Sequence, residues 1–126
     1  GLAYSSAAQI VRACVESARE LGMPEAAIPL AHATILLATA PKSNSAYLAY
    51  AAAASDVAAG KGQSVPDHMR PFHKYQNYKY PHDYPNHYVE QQYLPDDLVS
   101  AKYYTFGDNK AERAAAEYWS KIKGQK

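Results

Sequence analysis

A chain of 126 residues is long enough to close one hydrophobic core but not two, which leaves no room for a second catalytic module. Its 13 basic and 12 acidic side chains nearly cancel, so the total lacks the strong positive balance of a dedicated nucleic-acid-binding domain. The one cysteine, Cys14, excludes an internal disulfide and a cysteine-based zinc site, and sits comfortably in a cytosolic compartment. No apolar run approaches the roughly 18 residues of a membrane span. The opening Gly1-Leu2-Ala3-Tyr4 lacks the basic region and cleavage pattern of a signal peptide, and without a methionine it has the look of an excised piece. Abundant alanine with little valine, isoleucine or phenylalanine favours helix over sheet, so the expected fold is all-α.

Ser6 and Gln9 form a capping-box pattern that predicts a helix start. Ile10, Val11, Cys14, Val15, Ala18 and Leu21 then recur at helical spacing, with Arg12, Glu16 and Arg19 towards water. Cys14 lies on the apolar stripe and reads as a small core residue rather than a reactive thiol. Gly22 is placed to end the helix in a left-handed cap. Pro24 suits the first turn of a second segment, but Pro29 cannot donate to the carbonyl of Glu25. A short turn and a second start at Pro29 are therefore expected. From Leu30 to Ala40 almost every residue is apolar, which predicts a helix buried on most sides at the centre of the core. His32 on it reads as a hydrogen-bonded core or interface histidine.

Pro41 ends that helix, and Ser43 and Asn44 are candidate caps for a third one running to about Ala59. Its face of Tyr47, Leu48, Tyr50 and Ala51, continuing through Ala54 and Ala58, has little bulk after Tyr50, which permits close approach of a neighbouring helix. Gly60-Lys61-Gly62-Gln63 closes it. From Ser64 to Gly107 the prolines at 66, 71, 81, 85 and 95 forbid long helices, and eight of the twelve tyrosines fall between Tyr75 and Tyr104. An ordered loop is expected there, with a short helix near Tyr88 to Tyr93. A last helix is predicted over residues 108–123, with Asp108 as N-cap, Glu112 near its positive end, Tyr118, Trp119 and Ile122 along it, and Lys121 and Lys123 at its negative end.

The histidines invite a metal reading, with His68 and His73 five residues apart and His82, Asp83 and His87 adding further donors. None of the recurrent ligand spacings is present, which leaves a small His-based metal enzyme the weakest reading. There is no Gly-x-Ser-x-Gly turn to expose a nucleophile and no Gly-x4-Gly-Lys-Ser/Thr loop to cradle phosphate. In "HKYQNYKYPH" (residues 73–82) aromatic and basic residues interleave as in single-strand binders. Lys74, Tyr75, Tyr78 and Lys79 are thus DNA-contact candidates. The competing role, in which tyrosines and prolines pack together and hydroxyls satisfy loop backbone, is favoured because acids at 83, 90, 96 and 97 lie close by.

Two stretches point to a family. "LGMPEAAIPLAHATILLATAPKSNSAYLAYAAAASDV" (residues 21–57) and "YKYPHDYPNHYVEQQYLPDDL" followed by "KYY" closely resemble, in order, the C-terminal portion of the replication-associated recombination protein A family (RarA, also called MgsA). These are bacterial AAA+ ATPases related to the Werner-helicase-interacting protein. The resemblance covers essentially the whole chain.

It implies a single C-terminal oligomerisation domain, residues 1–126, similar to the helical collar of DNA polymerase III clamp-loader subunits. Its parts would be core helices over about 6–63, a Tyr/Pro-rich wrapping segment over 64–107 and a C-terminal helix over 108–123. An N-terminal AAA+ module, absent here, would carry the phosphate loop, Walker B acid and arginine finger with ATP and Mg, and a helical lid would precede Gly1. The implied function is a tetramerisation module of an ATPase acting at stalled or damaged replication forks, in recombination and repair. Its partners would be three further copies, DNA and single-strand-binding protein, and its setting the bacterial cytoplasm at the nucleoid. No catalytic, cofactor or metal residue is expected in this chain. Flush backbones and aromatic anchors suit association, so Tyr47, Ala51, Ala54, Ala58, Tyr84 and Tyr88 are the interface candidates. Direct single-stranded-DNA or partner-protein binding is the alternative.

Overall fold

In the computed structural model, which describes residues 1–70 and 77–124, four α-helices and several single 3-10 turns account for the regular structure. The helices are α1 (Ala7–Leu21), α2 (Ala27–Thr39), α3 (Ser45–Ala58) and α4 (Lys110–Gly124), and no strand occurs among the described residues. The fold is all-α, as the alanine-rich composition predicts. Two compact units divide the chain: Gly1–Asn44 with Gly107–Arg113, and Ser45–Phe106 with Ala114–Lys126.

In the first unit α1 packs on α2. Cys14 and Ala18 on α1 and Ala33 on α2 are buried, together with Ala3 and Ala26. These side chains are small, which lets the two backbones approach closely. Arg12 pairs with Glu16 across one turn on the watery side, at 2.8 Å. Three local expectations need correction. The Ser6 side chain makes no capping bond, because Ser6 itself is helical (φ −72°, ψ −13°), as is Ser5 (φ −64°, ψ −31°), which links it to a 3-10 turn, Leu2–Tyr4, whereas a capping side chain needs an extended backbone. Gly22 has the positive φ expected of it, 69°, but ψ of 174° puts it outside the left-handed helical region, in a conformation open only to glycine. The second helix begins at Ala27, with Pro29 third in it, where a missing N–H costs no intrahelical bond.

The larger correction concerns α2. It stops as predicted before Pro41, with Ala40 extended (φ −63°, ψ 147°), but only Ala33 on it is buried. Ile28, Leu30, Ile35 and Leu37 are all exposed. A helix that is apolar all round needs neighbours on several sides, and α1 covers one. Lys42, which the sequence reading passed over, seals the end of this helix: its ammonium donates to the carbonyls of Leu37 and Ala40, both at 2.6 Å, where orphan acceptors and the negative end of the dipole coincide.

The N-cap of α4 is Asn109, one residue past the expected Asp108. Asn109 Oδ1 accepts from the Glu112 N–H at 3.0 Å, and the Asn109 amide donates to the Glu112 carboxylate. Asp108 instead takes Arg113 at 2.8 Å. Glu112 is fully buried, and its carboxylate sits so near Gly107 that a Cβ there would meet it at 2.8 Å. The pattern Asn-x-x-Glu, a variant of the capping box, was the available signal.

In the second unit α3 ends at Ala58, and Gly60 and Gly62 turn the chain with φ of 80° and 73°. Among the described residues, four 3-10 turns follow, at Asp67–Met69, Pro81–Asp83, Pro85–His87 and Asp96–Leu98. The helix expected near Tyr88 to Tyr93 is not there; those residues lie outside any helix. Side chains do what a ladder would do. Gln91 Oε1 accepts from the Lys79 N–H at 3.1 Å while Gln91 Nε2 donates to the Lys79 carbonyl at 2.7 Å, so one amide satisfies both backbone groups of a residue twelve positions away.

Candidate association surface

Three sets of ties hold the Tyr/Pro-rich segment within the second unit. Tyr103 donates to Asp56 Oδ2 at 2.9 Å, and Lys61 donates to Asp56 Oδ1, also at 2.9 Å. Asp97 accepts from the Gly62 N–H at 2.9 Å, and Leu98, buried, lies 3.1 Å from where a Cβ on Gly62 would stand. His68 Nε2 donates to the Gln92 carbonyl at 2.8 Å, while the Gln92 amide donates to Leu94 and Asp96. The Lys61 and Tyr103 bonds hold the Asp56 carboxyl below its ordinary pKa. The same Asp56 bond raises Lys61, and burial followed by the Asp56 bond raises Tyr103. The tail of α3 is thus pinned by groups up to 47 residues away in sequence.

Tyr88 meets Trp119 edge to face at 5.3 Å, and the Lys123 ammonium lies 5.2 Å from the Trp119 ring centre. This is the geometry that the negative faces and positive edges of aromatic rings favour. Tyr84 is exposed and has no such partner ring among the described contacts.

The rest of α3 is the reverse of this. None of its fourteen residues is buried, although the helix is apolar along most of its length. Tyr47 and Tyr50 are 71% and 73% exposed, and Leu48 and Val57 are exposed as well. Tyr47, Ala51, Ala54 and Ala58 follow one another at spacings of four, three and four, so they line one stripe of the helix. On it Ala51 and Ala58 are exposed and Ala54 is half-buried. After Tyr47 the stripe is flat, with methyl groups where a second backbone could come close.

Of the DNA-contact candidates, Lys74 and Tyr75 lie outside the described residues. Tyr78 is half-buried with its ring 6.4 Å from His68, and the Lys79 ammonium reaches the Glu90 carbonyl at 3.5 Å. The histidines are spread over separate duties. His73 lies outside the described residues, His68 is bonded to Gln92, and His82 and His87 face each other as rings 4.8 Å apart. Among the described residues no three histidine, cysteine or acidic side chains come together as metal ligands. His32, on a helix expected to be buried, is exposed but meets Cys14 Sγ through Nδ1 at 3.8 Å. No helix among the described residues is long and apolar enough to cross a membrane.

A family profile described as the C terminal of the MgsA AAA+ ATPase matches residues 1–123. An AAA domain-containing protein of Mycobacterium tuberculosis is 47% identical over 124 residues, covering 92% of this chain and 27% of its own length. Proteins named replication-associated recombination protein A are 46% identical over 112 residues in Bacillus subtilis and 32% identical over 113 residues in Escherichia coli K12, each covering 82% of this chain. The chain spans about a quarter of the length of these relatives.

Proposed function

This chain belongs to the family of MgsA AAA+ ATPase C-terminal domains, and from that premise we propose that it is an association module, a collar that gathers four copies of a longer ATPase. The observation that carries this reading is α3, an apolar helix with no buried residue. Exposed apolar surface of this extent is costly in water and marks a surface meant to be covered. The stripe of Tyr47, Ala51, Ala54 and Ala58 supplies an aromatic anchor beside a flat bed, the anatomy of an interface core.

The names of the relatives support a setting in replication-associated recombination, and the family resemblance suggests the rest of what we propose for the longer protein. The longer protein hydrolyses ATP with Mg in a module outside this chain, and works in replication-associated recombination in the bacterial cytoplasm, at the nucleoid, with DNA and single-strand-binding protein as partners. The collar holds the ATPase modules at a fixed stoichiometry and has no chemistry of its own. The experiment is to change Ala51 and Ala54 together to glutamate and compare oligomeric mass and helicity with the unchanged chain. Loss of association with helicity retained supports the reading; unchanged mass and fold removes α3 from it.

A second reading, direct contact with single-stranded DNA, draws on the exposed ring of Tyr80 beside Lys79. Binding of an oligonucleotide by this chain that weakens steeply with salt would favour it.

A further inference from the structure

In the second unit the side chains of His68, Gln91, Gln92 and Tyr103 all serve backbone or carboxylate groups of the chain. His82 and His87 do not. Both are exposed, and among the described residues no hydrogen bond uses a nitrogen of either ring. The two imidazoles meet each other instead, with centres 4.8 Å apart and ring planes inclined by 49°. That is neither a parallel stack nor an edge-on contact, so ring packing alone gives little reason for it. Tyr80 stands beside His82, its ring centre at 5.1 Å.

The backbone fixes this juxtaposition. Pro81 and Pro85 each open a 3-10 turn, and the N–H groups of Tyr84 and His87 donate to the carbonyls of Pro81 and Tyr84 at 3.1 and 3.0 Å. The chain then passes through two successive residues of positive φ, Asn86 at 56° and His87 at 52°. Such a conformation is uncommon for any residue but glycine, and two in a row mark a turn held against its own preference, as ligand clamps often are. This turn brings His87 back onto His82 across a spacing that none of the recurrent ligand patterns uses.

We propose that His82 and His87 together bind one divalent late transition-metal cation, with Cu²⁺ the tightest, as two neighbouring imidazole ligands. Geometry carries the assignment. A metal about 2.0 to 2.1 Å from an imidazole nitrogen lies roughly 3.2 Å from the ring centre, so centres 4.8 Å apart correspond to a ligand–metal–ligand angle of about 97°. That is nearer the right angle between neighbours in a tetragonal Cu²⁺ site than the roughly 109° of tetrahedral zinc. Imidazole suits such cations and not Mg²⁺ or Ca²⁺, which take oxygen ligands. No third histidine, cysteine or acidic donor gathers there among the described residues, so the other positions belong to water or to a donor from another molecule. The site is a binding site rather than a catalytic one, and it stands independently of the association reading.

The test is titration of the untagged chain with CuCl₂, with MgCl₂ as the control, for the unchanged chain and for His82→Phe and His87→Asn. Phenylalanine keeps a ring beside Tyr80 and asparagine tolerates positive φ, so each substitution removes one ligand and retains the turns. The expected result is one equivalent of Cu²⁺ bound by the unchanged chain, no comparable binding of Mg²⁺, and a Cu²⁺ Kd raised by about tenfold or more in either variant. A smaller rise with circular dichroism retained overturns the proposal, and so does failure of the unchanged chain to bind Cu²⁺ more tightly than Mg²⁺. Should a substitution unfold the chain, the imidazole NMR signals of the unchanged chain decide. Substoichiometric Cu²⁺ is expected to broaden those of His82 and His87 before those of His32, His68 and His73; any other order overturns the site.

Discussion

Helices α2 and α3 and the segment from Asn77 to Phe106 treat their side chains in opposite ways. The helices satisfy their backbones internally and leave Ile28, Ile35, Tyr47 and Tyr50 in the open. The segment has no ladder of its own, and it recruits Gln91, Gln92, His68, Asp97 and Tyr103 to meet backbone and carboxylate groups. A helix needs its side chains for nothing local and can offer them to a partner; an irregular segment uses its side chains to stay ordered. Fixing such a segment costs about 1 to 2 kcal/mol of backbone entropy per residue, so its contacts are needed within the chain. Association is accordingly expected of the helices and structural support of the segment.

Substitutions that exchange these roles test the contrast, and the largest effect is expected on the helices. Ala51→Glu with Ala54→Glu puts two carboxylates on the flat stripe of α3 and should abolish association at concentrations where the unchanged chain associates, with circular dichroism unaltered. In the segment the order reverses. Tyr88→Ala removes the edge of the Trp119 contact and should lower stability by about 2 kcal/mol in denaturant unfolding, with the same m-value. Tyr84→Ala, which removes an exposed ring, should cost less; equal losses at the two positions would break the distinction drawn between them. Gly62→Ala should lower stability by about 1 to 2 kcal/mol, since φ is 73° and the new methyl group presses on Leu98.

The smallest effect concerns the Asp56, Lys61 and Tyr103 cluster, and it has a sign that can be checked by pH. Asp56 has a lowered folded-state pKa, so its contribution is present above the unfolded value of about 4 and is lost as pH falls through the folded value. Lys61 and Tyr103 have raised folded values, so theirs is present below about 10 and is lost as pH rises through those values. Melting temperature should therefore decline on both sides of a neutral plateau. Tyr103→Phe should flatten the alkaline limb; an unchanged alkaline limb would show that the hydroxyl bond contributes nothing.

What was legible in the sequence was local. Pro41 marked the end of α2 because a proline disfavours helical geometry in the residue before it, and the lysines at 121 and 123 marked the end of α4 through the helix dipole. The exposed stripe proposed for association on α3 was legible as a pattern of Tyr47 with alanines at helical spacing. What escaped depended on distant partners. Gln91 reaches Lys79 twelve residues away, His68 reaches Gln92 over 24 and Tyr103 reaches Asp56 over 47, and no periodicity announces such pairs. The supposed helix at Tyr88 to Tyr93 failed for this reason: its glutamines have partners outside it. The exposure of α2 escaped for another, because an all-apolar helix reads the same whether its cover comes from its own chain or from a neighbour.

The most direct test of the central claim is the solution mass of the unchanged chain by light scattering across a concentration series. The account predicts a mass that rises with concentration to that of four chains. The mass of a single chain at every concentration would contradict it.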